Sequence, residues 1–166
     1  MSPKAVRRAS SQASAVEAVE GSLEARGLRF GVVCARWNPT ITEALLASAL
    51  EVLEKRGADA RRVTVARVPG AFELPAAARA LLETRRPDAL IVLGAIVRGE
   101  TTHHEVLAHA VAGALAALSA ERGVPVGLGL LTCDTMDQAR ARTAKGAEAA
   151  EAAIELANLR RRLRRG

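Results

Sequence analysis

Four strand-like apolar runs alternate with helical patterns along this chain. That order predicts an α/β protein: a three-layer sandwich around a doubly wound, four-stranded parallel sheet of flavodoxin-like topology, with helices on both faces. Two further observations agree. The first run, Leu28–Ala35, is almost continuously apolar, as expected of a strand buried on both faces. The segments between them are long enough for helical crossovers, which parallel strands need.

The first run is Leu28–Ala35 (LRFGVVCA). Asn38-Pro39 follows, with Asn suited to an N-cap and Pro to the first helical position. Thr40 with Glu43 offers a competing capping box. Ile41, Leu45, Leu46, Ala49, Leu50 and Leu53 then recur at helical spacing, and Gly57 closes the helix. The unit repeats. Arg62–Val68 reads as a strand and Glu73 to about Glu83 as a helix. Ala89–Ala95 is a strand, and His103 to Glu121 a helix ended by Gly123. Val124–Leu131 is a strand, and Thr135 to about Leu163 a single long helix with Asp134 as its N-cap.

The 166 residues fit one domain, expected over 20–163. Residues 1–19 are rich in Ala and Ser with Arg, and read as a disordered tail, a transit peptide being the alternative. The net charge of +6 invites a nucleic-acid partner. The excess, however, sits in Arg7-Arg8 and in Arg160-Arg161-Arg162 with Arg164-Arg165, near the ends, and no nucleic-acid motif accompanies it. No uninterrupted apolar stretch suits a membrane span. Cys34 and Cys133 lie in or beside apolar runs without a CxxC, and read as buried reduced thiols of a cytoplasmic protein.

Ligands of such a sheet bind outside the carboxyl ends of the strands. The segments there are Ala35–Pro39, Val68–Pro75, Gly94–His104 and Leu131–Asp137. In Gly94–His104 (GAIVRGETTHH), Gly99 permits a sharp turn, and Glu100, Thr101 and Thr102 lead into a helix start that suits an anion. His103 in the first helical turn suits proton transfer, unless both histidines merely face solvent. A metal is not expected: His104 and His109 are five apart, a poor fit to one helical face, and no cysteine or carboxylate cluster joins them. In VPGAFELP, Pro-Gly marks a tight turn. Glu73 there either favours the helix dipole or accepts from a polar ligand. Trp37, the only tryptophan, is either a core plug or a plate for a flat heterocycle. Arg142 and Lys145 share a helical face, which serves either solvent or a phosphate.

Taken together, RWN, VPGAFELP, LGAIVRGETTHHE, LTCDTMDQARAR and KGAEAAEAAIELANL resemble the lumazine synthase family from about Gly21 to Leu163. The resemblance implies a transferase that joins 5-amino-6-(D-ribitylamino)uracil to 3,4-dihydroxy-2-butanone 4-phosphate. The products are 6,7-dimethyl-8-ribityllumazine, phosphate and water, in the penultimate step of riboflavin biosynthesis, with no cofactor. It implies that Trp37 stacks on the pyrimidine and that Asn38, Ala71, Phe72 and Glu73 line the ribityl chain. The backbone of Ala95, Ile96 and Val97 reads the pyrimidine edge. Gly99, Glu100, Thr101 and Arg142 meet the phosphate. His103 moves protons, and Leu128 and Lys145 complete the pyrimidine site.

The resemblance also implies homopentamers with sites between subunits, in which Leu128, Arg142 and Lys145 come from the neighbouring chain. A further sixty-subunit shell and a functional link to riboflavin synthase are implied too. A non-catalytic flavin- or lumazine-binding or shell-forming member is the alternative. The chain departs from the family pattern at Leu128, where an aromatic is common, and at Ala144. Arg142 and Lys145 also stand several residues closer together than usual, which leaves no room for the family's glycine-rich joint and favours a continuous final helix.

Overall fold

The computed structural model describes residues 16–165. Most of the expected 1–19 tail lies outside these residues. Residues 16–26 form no regular secondary structure. Residues 20–24 lie along the last helix, where Asn158 Nδ2 donates to the carbonyls of Ser22 and Glu24 at 2.8 and 2.9 Å.

The elements in order are β1 (Phe30–Ala35), α1 (Pro39–Lys55), β2 (Val63–Val68), α2 (Leu74–Arg85), β3 (Ala89–Val97), α3 (His103–Arg122), β4 (Val126–Cys133), α4 (Met136–Arg140) and α5 (Lys145–Leu163). The four strands form one parallel sheet in the order β2-β1-β3-β4. Alternate strand residues feed two cores, as the period of two requires. Phe30, Val32 and Cys34 of β1 and Ile91 and Leu93 of β3 pack with α1 and α5. Val33 and Ala35 of β1 and Leu90 and Val92 of β3 pack with α2 and α3. This two-sided burial is why the strands read as unbroken apolar runs. Truncating Ile91 or Leu93 to Ala should cost about 2–5 kcal/mol.

Two ends differ from the sequence reading. β4 starts at Val126 because Pro125 has no N–H, although its carbonyl still accepts from Leu90 at 2.8 Å. β3 and β4 then pair as far as Val97↔Cys133, two residues past the expected end of each strand.

The last helix is a larger correction. It is not continuous: α4 stops at Arg140, turns occupy 141–144, and α5 starts at Lys145. Its N-cap is Thr135, not Asp134, with the Thr135 hydroxyl accepting from the Gln138 N–H at 3.2 Å. Contacts with α1 account for the break. Ser48 Oγ donates to the Thr143 carbonyl at 3.0 Å. α5 also presses so closely on α1 that a Cβ at Gly146 would lie 2.0 Å from the Leu45 carbonyl oxygen. On its other side α5 meets β4, where a Cβ at Gly127 would lie 2.0 Å from the Ala149 carbonyl oxygen. α5 is thereby wedged against sheet and α1 at a fixed distance, and the short turn adjusts its direction after α4.

Candidate active site

The chain winds from β1 outward to β2 and then back past β1 to β3, so the order reverses between β1 and β3. A cleft of about 480 Å³ opens at the carboxyl ends of these strands. Its position is the switch point where doubly wound sheets bind ligands, and its size is in the range of small-molecule pockets.

The first wall follows β1. The ladder to β2 runs on briefly, with the Arg36 N–H donating to Val68 O at 2.8 Å and the Trp37 N–H to Pro69 O at 3.0 Å. Asn38 then takes the left-handed conformation, φ 59° and ψ 58°. As expected it is the N-cap residue ahead of Pro39, but its side chain does not cap the helix, and the Thr40–Glu43 capping box does not form. Its Nδ2 instead donates to the Ala95 carbonyl at 3.0 Å. Trp37 is 73% exposed, so it is no core plug. It stands at the mouth of the cleft as an aromatic plate.

The second wall is a 3₁₀ turn, Ala71–Glu73, just ahead of α2. Ala71 is buried, and Phe72 is 70% exposed on the cleft. Glu73 Oε2 accepts the Gly70 N–H at 2.8 Å and closes the turn. Its Oε1 has no donor among the described residues. The structure thus gives Glu73 a turn-closing role and leaves it facing the cleft.

The third wall is the end of β3. Pairing with β1 stops at Leu93↔Cys34, whereas pairing with β4 runs to Val97. The edge of Ala95–Val97 on the β1 side therefore has no strand beside it. It offers backbone polar groups to the cleft, which all three residues line.

The fourth wall is Gly99–Thr102 and the start of α3. The backbone N–H groups of Gly99, Glu100, Thr101 and Thr102 make no hydrogen bond among the described residues, and the N-terminal end of a twenty-residue helix follows. Free amides and the helix dipole together favour an anion. Gly99, Thr101 and His103 line the cleft, while Glu100 is exposed beside it. Three further residues line the cleft: Gly70 and His104, within segments that the sequence reading places at the strand ends, and Leu107, which it missed. His104 Nδ1 lies 3.0 Å from the Thr101 carbonyl.

Leu128, Arg142 and Lys145 do not join this cleft. Leu128 is 41% exposed on the edge strand β4, where it pairs with Val92. Arg142 donates to Gln138 O at 2.9 Å, and Lys145 Nζ to Glu148 Oε2 at 2.6 Å. Both belong to the turn and helix that cover the opposite face of the sheet from α3. No Lys or Arg lines the cleft.

An α/β sandwich whose switch point carries an exposed indole, an imidazole and an amide-lined helix start has the architecture of an enzyme that works on a flat, polar small molecule. The particular family is known: residues 27–161 match the model of 6,7-dimethyl-8-ribityllumazine synthase, and the chain belongs to that family. It is accordingly an enzyme of riboflavin biosynthesis that acts on small molecules. Among the described residues, no helix is long and apolar enough to cross a membrane.

Proposed function

We propose that the cleft joins 5-amino-6-(D-ribitylamino)uracil to 3,4-dihydroxy-2-butanone 4-phosphate, giving 6,7-dimethyl-8-ribityllumazine, phosphate and water. One observation carries this reading: Trp37, Glu73 and His103, which come from three separate strand ends, line the same cleft. The pyrimidine stacks on Trp37 and meets the backbone edge of Ala95, Ile96 and Val97. The ribityl chain lies along Asn38, Ala71 and Phe72, with Glu73 Oε1 accepting from a hydroxyl. The phosphate sits on the amides of Gly99–Thr102.

The chemistry asks little more of the protein. The 5-amino group attacks the ketone and water leaves to form an imine. Removal of a proton lets phosphate depart, and the ribityl-bearing nitrogen then closes the ring with loss of water. Holding amine and carbonyl together supplies most of the acceleration, as for other oriented bimolecular reactions. His103 takes and returns the protons, worth typically about 10²–10⁴-fold.

Departure of a phosphate calls for a cation, and the cleft has none of its own. We therefore place Arg142 of a neighbouring copy over the phosphate, with that copy's Leu128 and Lys145 near the pyrimidine. The surface supports a homo-oligomer, in this reading a pentamer. From Val106 to Ala120, α3 has no Asp, Glu, Lys or Arg. It nevertheless exposes Val106, Ala110, Ala114 and Ala117 to solvent. Uncharged apolar faces of this kind mark protein contacts. We place the enzyme in the cytoplasm, supplying its product to riboflavin synthase.

Incubation with both substrates, followed by lumazine fluorescence, tests the function. Product at a rate proportional to enzyme is expected. A well-folded oligomer that binds the pyrimidine without turnover would assign the cleft to binding alone.

A further inference from the structure

Between Arg98 and Val106 every residue is exposed except His104, whose side chain is only 11% exposed. It is the one residue of this segment that is partly buried. Its Nδ1 lies 3.0 Å from the Thr101 carbonyl. A carbonyl can only accept, so Nδ1 carries the proton. Among the described residues that bond is the single hydrogen bond made by the Thr101 carbonyl, because the Glu105 and Val106 amides of the first α3 turn both donate to Thr102 O instead.

The consequence is geometric. A peptide unit is planar, with its C=O and N–H pointing in opposite directions. Holding the Thr101 carbonyl toward His104 therefore holds the Thr102 N–H away from it. Nearby, the Thr102 carbonyl accepts from the Glu105 and Val106 N–H groups at 3.0 and 3.3 Å, and the His103 N–H makes a long contact of 3.4 Å with Thr101 Oγ1. The amides of Gly99–Thr102 have no acceptor among the described residues, so without the imidazole the Thr101–Thr102 peptide has no hydrogen bond among these residues to fix its direction.

We propose that His104 is the positioning residue of the anion loop: its Nδ1–H holds the Thr101–Thr102 peptide so that the loop amides converge on a phosphate group. This rests on the reading that Gly99–Thr102 meets the phosphorylated substrate. The imidazole acts through the loop and touches no reacting atom, so its removal selects one substrate over the other.

His104→Leu removes the donor and keeps an apolar side chain. His104→Asn keeps an N–H close to the place of Nδ1. In the intact oligomer, His104→Leu should raise KM for the phosphorylated substrate about five- to ten-fold, while KM for the pyrimidine stays within about two-fold. His104→Asn should recover most of the loss. Inorganic phosphate provides a readout free of turnover. Its affinity should fall in His104→Leu and return in His104→Asn, even if no lumazine is formed. In the unaltered protein, phosphate should slow hydrogen exchange at the Thr102 amide. Equal rises in both KM values, no recovery by Asn, or no phosphate protection at Thr102 would each overturn the proposal.

Discussion

Asn38 Nδ2 donates to the Ala95 carbonyl at 3.0 Å, and this bond spans the gap where β1 has ended and β3 continues. It ties the loop that holds Trp37 to the strand end that faces the same cleft. Asn38 adopts φ 59° to make it, a conformation that asparagine tolerates better than most residues. The Asn38 carbonyl is held as well, accepting from Thr42 N–H at 3.0 Å and from the buried Thr42 hydroxyl at 3.3 Å.

Asn38→Ala loses the bond and keeps the strained backbone, so it should lower stability by about 1–2 kcal/mol. Asn38→Gly loses the same bond but relieves the strain, and should cost less. Both should lower kcat/KM for the pyrimidine by about ten-fold. Thermal unfolding and steady-state kinetics check this. If Ala proves as stable as the parent, the tie has no structural weight.

His103→Ala should reduce kcat by roughly 10²-fold or more while pyrimidine affinity changes by less than about three-fold. Single-turnover rates alongside equilibrium binding separate the two. Parallel losses in rate and affinity would show that His103 holds substrate and does not move protons.

Sites built from two chains predict complementation. Chains carrying His103→Ala or Arg142→Ala should each be nearly inactive alone. Refolded together in equal amounts, roughly a quarter of the sites would pair an intact His103 with an intact Arg142 from the next copy. Activity should rise to about that share of the parent level. A mixture no better than its components would place both residues within one chain's site, or remove Arg142 from the chemistry.

Burial raises the Cys34 thiol from its ordinary 9.0 to about 11, against a smaller opposing effect of nearby Arg67. The folded protein should therefore leave Cys34 unreacted with iodoacetamide at pH 8, and alkylate it only after unfolding. The sign for stability follows. An acid whose pKa is higher when folded contributes fully below 9.0, and that contribution is lost as pH climbs from 9.0 toward about 11. Mass spectrometry of the alkylated chain, and unfolding curves between pH 8 and pH 11, test both points. Rapid labelling of the native protein would contradict this burial.

Much of this was legible in the chain itself. β1 and β3 are buried on both faces, so their apolar runs announce them, and three of the four strand-end segments carry the least generic sequence. The remainder depended on contacts that no local pattern records. Asn38 fits an N-cap equally well, and only the length of β3 relative to β1 shows that its amide is used elsewhere. The turn at 141–144 is imposed by Ser48 and the backbone of α1, which are far away in sequence. His104 was overshadowed by its neighbour, because adjacent histidines look alike until one is seen to be partly buried. Arg142 and Lys145 fall outside this chain's own cleft, and their place in the site rests on the proposal that a second copy supplies them.

Trp37, as the only tryptophan, reports on the cleft without a label. Titrating the protein with 5-amino-6-(D-ribitylamino)uracil should quench its emission saturably at one equivalent per chain. Trp37→Ala should then weaken pyrimidine binding by about ten-fold. Pyrimidine binding seen by calorimetry with the indole emission unchanged would place the substrate elsewhere and end the case for this cleft.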